Sequence, residues 1–312
     1  MMKQICISEF MDSAAVQTLT PGFDVRYEPG WVDQRADLLE GLGGAHGLIV
    51  RNRTQVDGAL LDAASHLKVI GRLGVGLDNI DVDSCRQRGI RVIPAFGANA
   101  RSVAEYVVTT AAVLLRGAYL STAEVAAGKW PRARLSDGRE ALDKTLGLVG
   151  FGDIGRRTAA LAQAFGMQVI AHDPMLSADD PVWRATGVRC VPLDELLAQA
   201  DAVSLHVPLV DATRNLLDVG RLASMKSGAV LINTARGGVV DEAALADALR
   251  AGHIGGAALD VFGNEPLPAG SPLANAPNLI LTPHIGGVTQ EANARVSMMI
   301  ANEVRKTLEA ST

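Results

Sequence analysis

Leu146-Gly-Leu-Val-Gly-Phe-Gly-Asp-Ile-Gly155 joins a short apolar run, Leu146 to Val149, to the pattern Gly150-x-Gly152-x-x-Gly155. A helix-like run follows over 156–166, with Ala159, Leu161, Ala162 and Phe165 as its apolar positions. Residues 167–171 read as a second strand that ends at His172-Asp173. Gly150 allows the tight turn, Gly152 lets the backbone approach a pyrophosphate, and Gly155 lets helix and strand pack closely. The helix N-terminus then offers unpaired N–H groups and a positive dipole end to phosphates. Asp173, 18 residues after Gly155, stands where a carboxylate accepts hydrogen bonds from an adenosine ribose. Its charge repels a 2′-phosphate, so NAD is expected rather than NADP. The glycines alone are a weak signal. With both flanking strands and the acid they point to a dinucleotide site rather than a structural turn.

The 312 residues suffice for two domains of ordinary size, and an apolar content of 48% can fill a large core. Net charge is −5 with both signs scattered, which excludes the basic patch or stripe of a nucleic-acid-binding protein. Cys6, Cys85 and Cys190 are far apart in the chain and form neither a metal pattern nor a disulfide framework, so a reducing cytoplasm and no metal are expected. The N-terminus lacks the apolar core of a signal peptide. The longest apolar stretch, residues 106–115, falls far short of the ~20 residues of a membrane span.

Outward from the glycine turn, strands are expected at 3–7, 25–27, 47–50, 68–72 and 90–93. Helices are expected at 37–42, 56–64 and 82–88, the last closed by Gly89. This alternation gives a parallel sheet covered on both faces, so residues 1 to about 97 make one α/β domain. Residues 99–119 read as one long helix with Val103, Val107, Ala111 and Leu114 as an apolar stripe. A helix apolar on most faces is either deep core or a subunit interface. The polar, basic connection around Lys129-Trp-Pro-Arg-Ala-Arg134 is either an arm that swaps onto a neighbouring subunit or a surface loop with one tucked-in Trp130. Six strands then follow, at 146–149, 167–171, 202–207, 229–233, 257–261 and 279–283, as suits a doubly wound nucleotide domain. The last helix, 290–308, has Ala294, Met298, Ile300 and Val304 to bury and is expected to cross back onto the first domain.

Open α/β sheets bind ligands beyond the carboxyl ends of their strands. The polar groups there are His206, Asn233-Thr-Ala-Arg236-Gly-Gly, Asp260, Glu265 and His284. In the first domain, Leu73-Gly74-Val75-Gly76 can turn backbone N–H groups toward a carboxylate as a small anion nest.

Seven motifs run in order over almost the whole chain: Gly74-Val-Gly76-Leu-Asp78-Asn79-Ile-Asp81, Ser102-Val-Ala-Glu105, the glycine turn itself, Ser204-Leu-His-Val-Pro208, Asn233-Thr-Ala-Arg-Gly-Gly-Val-Val-Asp241, Ala258-Leu-Asp-Val-Phe262 and Thr282-Pro-His-Ile-Gly-Gly287. In these the chain resembles the D-isomer-specific 2-hydroxyacid dehydrogenases, the family that includes 3-phosphoglycerate dehydrogenase and the glyoxylate and hydroxypyruvate reductases. The resemblance implies two doubly wound parallel-sheet domains. One is a flavodoxin-like substrate-binding domain of residues 1–97 plus 289–312, and the other a Rossmann NAD-binding domain of residues 98–288.

It also implies a catalytic set of Arg236, Glu265 and His284. Arg236 has the rigid charged fork to hold a substrate carboxylate and polarise the neighbouring carbonyl. His284 can exchange a proton with the C2 oxygen, and Glu265 would hydrogen-bond the far ring nitrogen and fix the tautomer. Hydride passes between substrate C2 and nicotinamide C4. The implied NAD contacts are Gly150, Gly152, Asp153, Ile154, Gly155, Asp173, His206, Val207, Pro208, Thr213, Thr234, Ala235, Arg236, Asp260, His284 and Gly286. His206 contributes its backbone, and its side chain need do nothing chemical. Asp260 could hold the nicotinamide carboxamide or ribose, or it could be a cap. The implied substrate contacts are Arg51, Asn52, Arg53, Gly74, Val75 and Gly76, with Arg236 and His284. Arg51 and Arg53 together suggest a second anionic group on the substrate, such as phosphate or sulfonate; the alternative is a solvated pair of charges. Arg132 and Arg134 could add to that site from a neighbouring subunit, in a homodimer formed through the 99–119 helix and the 121–144 arm. With the chain ending at Thr312, no serine-sensing regulatory domain is expected, and Glu265 stands where a formate dehydrogenase would pair Gln with His.

Within the family, Ile7-Ser-Glu-Phe-Met-Asp12, Val50-Arg-Asn-Arg-Thr-Gln-Val56, Gly71-Arg-Leu-Gly-Val-Gly-Leu-Asp-Asn-Ile80 and Ala104-Glu-Tyr-Val-Val108 are similar to the (S)-3-sulfolactate dehydrogenases of sulfonate breakdown. Sulfur outranks carboxylate in naming priority, so (S)-sulfolactate has the spatial arrangement of a D-hydroxy acid. The expected reaction is oxidation of this acid to sulfopyruvate with NAD. 3-Phosphoglycerate is the main rival, followed by reduction of glyoxylate or hydroxypyruvate. From another class, an NAD-sensing corepressor would keep the same residues.

Overall fold

In the strand Gln4–Ile7, Ile5 and Ile7 fall on one side and Cys6 on the other, and all are fully buried. A strand apolar on both faces needs cover on both, which parallel sheets obtain from their crossover helices. The structure, a computed structural model, describes residues 2–310; Met1, Ser311 and Thr312, the outermost residues of the expected substrate domain, lie outside the described residues. The chain divides into two units, Met1–Asn99 with Val288–Thr312, and Ala100–Gly287.

The first unit holds β1 (Gln4–Ile7), β2 (Asp24–Tyr27), β3 (Ala45–Val50), β4 (Val69–Arg72) and β5 (Arg91–Pro94). They form one parallel sheet in the order β2-β1-β3-β4-β5, the flavodoxin-like order. The C-terminal helix Gln290–Ala310 covers the Ile5 face, packed on β3 and β4. Its buried stripe is Ala292, Val296, Ile300, Ala301, Val304 and Leu308, whereas Ala294 is exposed and Met298 only partly covered. Of the four residues expected to be buried there, Ile300 and Val304 lie on the stripe, Met298 packs at its edge and Ala294 faces outward. The helix Ser13–Leu19 was not legible: its seven residues are too few for a periodic signal, and Asp12 starts it by accepting the Ala14 N–H at 3.0 Å.

The second unit holds β6 (Thr145–Val149), β7 (Gln168–His172), β8 (Arg189–Cys190), β9 (Ala202–Leu205), β10 (Val230–Asn233), β11 (Gly256–Leu259) and β12 (Leu279–Leu281). There are seven strands instead of the expected six, because the two residues of β8 carry no pattern of their own. The order β12-β11-β10-β9-β6-β7-β8 is all parallel and changes direction between β6 and β9, so this Rossmann sheet has its switch point there. Alternate residues feed two cores, with Leu231 on one side and Val230 and Ile232 on the other.

The helix Ala100–Arg116 ends earlier than expected, at Gly117 with φ 66°. Its stripe of Val103, Val107, Ala111 and Leu114 is buried against Leu146, Leu148 and Ile232 of its own unit, so this face is core and not a subunit interface. Asp153–Ala164 begins before residue 156 because Gly152 serves as its N-cap, and Phe165, one of the expected apolar positions, lies exposed just past its end. Trp130 is 79% exposed, which removes the tucked-in alternative for the arm.

Gly71 on β4 leaves room for the C-terminal helix, since a Cβ there would come within 2.4 Å of Ile300 Cγ2 and 2.8 Å of Val304 Cγ2. Gly71→Ala should cost about 1–3 kcal/mol of stability in a denaturant titration. Gly22→Ala, where a Cβ would meet nothing within 4 Å, is the control and should change little. Equal small effects would show that the helix does not press on β4.

Candidate active site

The glycine turn is built by close backbone approach. A Cβ on Gly150, whose φ is 98°, would stand 2.5 Å from the His206 carbonyl oxygen, and one on Gly155 would stand 2.5 Å from that of Gly150. Gly152 differs: a Cβ there would meet nothing within 4 Å, and no side chain caps the helix it starts. The first N–H groups of Asp153–Ala164 thus face open space, the setting in which a helix end binds phosphate. Asp153 turns back to Arg157 at 3.0 Å, and Ile154 packs on the core. Asp173 accepts Phe151 N–H at 2.8 Å and Met175 N–H at 2.9 Å, one on each oxygen, which leaves acceptor capacity on both for ribose hydroxyls. Thr234 at the end of β10 has a buried hydroxyl with no partner among the described residues. These features fit an NAD cradle: open space at a helix N-terminus, an anchored ribose acid and an unused hydroxyl.

Other expected contacts have partners within the protein. The Thr213 hydroxyl donates to Pro208 O at 2.5 Å and accepts Val210 N–H at 2.9 Å, so it shapes its own loop. Val207 and Ala235 contribute to the core on that side of the sheet. His206 Nε2 lies 3.1 Å from Ser204 Oγ, and burial pushes its pKa down to about 4, so the ring is neutral near pH 7.

Three loops bring the catalytic candidates together. Asn233 clamps the first: its amide donates to Arg236 O at 2.9 Å and its oxygen accepts Ala235 N–H at 3.0 Å. A Cβ on Gly237 would lie 1.8 Å from Phe262 O, so the arginine turn rests directly on the loop after β11. In that loop Glu265 accepts Phe262 N–H at 3.0 Å with one oxygen and faces His284 Nδ1 at 2.8 Å with the other. A carboxylate only accepts, so Nδ1 carries a proton. In the neutral ring Nε2 then has its lone pair free to take a proton, and it has no partner among the described residues.

Asp260, 2% exposed, holds the third loop. Its carboxylate accepts the Thr282 hydroxyl at 2.6 Å, Ile285 N–H at 2.8 Å and Gly286 N–H at 2.7 Å. His284 sits between those anchors with φ 55°, a strained value for a side-chain-bearing residue. Asp260 and Gly286, expected as cofactor contacts, are therefore joined to each other, and the capping alternative for Asp260 is the one the geometry shows. Thr282 has one proton, given to Asp260, so Tyr106 must donate its own at 2.7 Å. The roles of Asn233, Tyr106 and Thr282 were missed; an Asn two residues before a turn N–H was the one legible signal.

In the first unit, Gly74 of the expected nest donates its N–H to Arg72 O at 2.7 Å. Arg51 is half-buried, and its guanidinium donates to Asn293 Oδ1 at 2.6 Å and lies 5.9 Å from the Phe10 ring centre. Arg53 instead forms an exposed ion pair with Asp33, and Asn52 is exposed. The two arginines thus have different partners, Asn293 and Asp33.

Residues 108–286 match the family model described as "D-isomer specific 2-hydroxyacid dehydrogenase, NAD binding domain". The chain belongs to this family. It is an NAD-dependent oxidoreductase acting on a CH–OH group. It is 56% identical over 307 residues to the (S)-sulfolactate dehydrogenase of Chromohalobacter salexigens, covering 98% of this chain and 99% of that one. It is 40% identical to the D-3-phosphoglycerate dehydrogenase of Mycobacterium leprae over 97% of this chain, but spans only 56% of that enzyme's length. The solved D-lactate dehydrogenase of Aquifex aeolicus, complexed with NAD and lactic acid, matches with a TM-score of 0.83 and 29% identity over 99% of this chain and 96% of that one.

Asp260→Asn puts an NH₂ group where an acceptor is needed and should lower kcat about 100-fold through displacement of His284. The Kd for NADH, read by fluorescence titration, should change much less. Equal losses in both would make Asp260 a cofactor contact. For His206 the folded pKa is depressed from 6.5 to about 4, so across that window the unfolded chain binds the extra proton. Its contribution to stability therefore falls as pH drops through the window, by at most about 3 kcal/mol. His206→Gln should lose less Tm than the parent between about pH 7 and about pH 4.5; an equal loss would contradict this.

Proposed function

We propose that this enzyme oxidises (S)-3-sulfolactate to 3-sulfopyruvate. The observation that carries the reading is the 56% identity, over nearly the full length of both chains, with a sulfolactate dehydrogenase. Arg51 supports it: it is a half-buried guanidinium hydrogen-bonded to a neutral partner, Asn293, and the nearby Glu9 carboxylate is occupied by backbone N–H groups. Such a group suits the second anion of a small dianionic acid. Arg53, neutralised by Asp33 and exposed, is the weaker candidate.

In this reading residues 100–287 bind NAD, and residues 1–99 with 288–312 bind the substrate. Arg236 holds the C1 carboxylate. His284 Nε2 takes the proton of the C2 hydroxyl while the C2 hydrogen leaves with its electron pair, and the resulting imidazolium is stabilised by Glu265 through Nδ1. Bound NAD supplies the hydride acceptor. In the reverse direction the same imidazolium protonates the carbonyl oxygen of the oxo acid. The Val75 and Gly76 N–H groups, which have no acceptor among the described residues, complete the contacts to the substrate.

We further propose a cytoplasmic homodimer. Free Cys6, Cys85 and Cys190 suit a reducing compartment. Exposed Tyr119, Val125, Trp130 and Leu142 on and beside the arm suit burial against a second copy. Light scattering should give twice the chain mass of 32.7 kDa; the single mass would remove the dimer.

NADH formation with racemic sulfolactate, D-3-phosphoglycerate and D-glycerate tests the reaction. The highest kcat/KM is expected for sulfolactate, with its KM raised about ten-fold by Arg51→Ala and less by Arg53→Ala. A higher kcat/KM for phosphoglycerate would replace the substrate and keep the catalytic residues.

A further inference from the structure

Glu9 stands two residues past the end of β1, is 4% exposed and has no part in the chemistry described above. Its carboxylate accepts three backbone N–H groups from the loop after β3: Arg51 at 2.8 Å and Thr54 at 3.0 Å on one oxygen, and Arg53 at 3.2 Å on the other. Asn79, also buried, takes the carbonyls of the same loop, donating to Thr54 O at 2.7 Å and Arg51 O at 3.3 Å. The Ser8 and Thr54 hydroxyls meet at 3.0 Å beside them. A four-residue loop is thus held by its amides on one side and its carbonyls on the other.

Converging N–H groups make a concavity that attracts an anion. Here the protein fills that concavity with its own carboxylate, so a substrate anion cannot use these amides. With three of the four loop amides taken, the charged group left to read an anion at this loop, apart from the ion-paired Arg53, is the half-buried Arg51. Phe10, next to Glu9 in the chain, lies near the Arg51 guanidinium, so one turn of chain after β1 sets both the loop backbone and the side chain it presents. Burial pushes the Arg51 pKa down, and the Glu9 charge offsets part of that shift.

We infer that Glu9 is a specificity-determining positioning residue: its buried carboxylate shapes the 51–54 loop so that Arg51 is presented to the second anionic group of the substrate. This rests on the reading that the substrate is dianionic. Glu9→Gln keeps the volume, removes the charge and sets an NH₂ group against an N–H group, so the loop should open while Arg51 remains in the chain. Glu9→Asp keeps the charge on a shorter arm.

The test is steady-state reduction of sulfopyruvate and of glyoxylate by NADH with the full-length parent and both variants. Glu9→Gln should raise the KM for sulfopyruvate about ten-fold more than the KM for glyoxylate. Glu9→Asp should do so to a smaller degree, which decides the matter if the Gln variant does not fold. Equal KM changes for the two acids, with the parent preferring sulfopyruvate, would overturn the role of Glu9. A parent with no preference for sulfopyruvate would instead overturn the dianionic-substrate reading.

Discussion

One buried carboxylate sets the geometry of the segment that carries His284. Asp260 takes a hydroxyl and two backbone N–H groups from the segment that carries His284, all within 2.8 Å. Three charge-assisted bonds in a buried place are strong enough to hold a histidine at φ 55°, which the bare chain would avoid. The held backbone fixes where the imidazole points, and Glu265 then fixes which nitrogen bears the proton. The placement of His284, which we propose to exchange the proton, thus depends on a carboxylate that acts through its backbone. Tyr106, on the helix whose other face fills the core, extends this support through Thr282.

Glu9 repeats the device in the other unit. Each case places a carboxylate just beyond a strand end and lets it collect the amides of a neighbouring loop. The desolvation cost of the charge is offset by several N–H donors, and a loop is obtained that has little freedom before ligand arrives. A loop organised in advance gives up less entropy on binding.

Much of this was legible in the sequence because strand ends in α/β sheets carry polar residues in short, patterned runs. The glycine turn and both sheets follow from such runs, and the resemblance they carry implied the contact of Glu265 with His284. Elements without a pattern escaped: the two residues of β8 and the seven-residue helix after Asp12. So did several features that depend on which way a side chain turns. Arg51 and Arg53 are two apart and read as a pair, yet the loop leaves the strand between them, and one reaches Asn293 while the other reaches Asp33. Asp260 read equally well as ligand or cap, because spacing cannot tell whether a carboxylate looks outward or back into its own backbone.

The most direct single measurement is a crystal structure of the dead-end complex with NADH and (S)-sulfolactate, which cannot turn over. The account predicts the C2 hydroxyl oxygen within about 3 Å of His284 Nε2, the carboxylate on Arg236 and the sulfonate on the Arg51 guanidinium. A sulfonate held by Arg53, or by no group of the 51–54 loop, would contradict it.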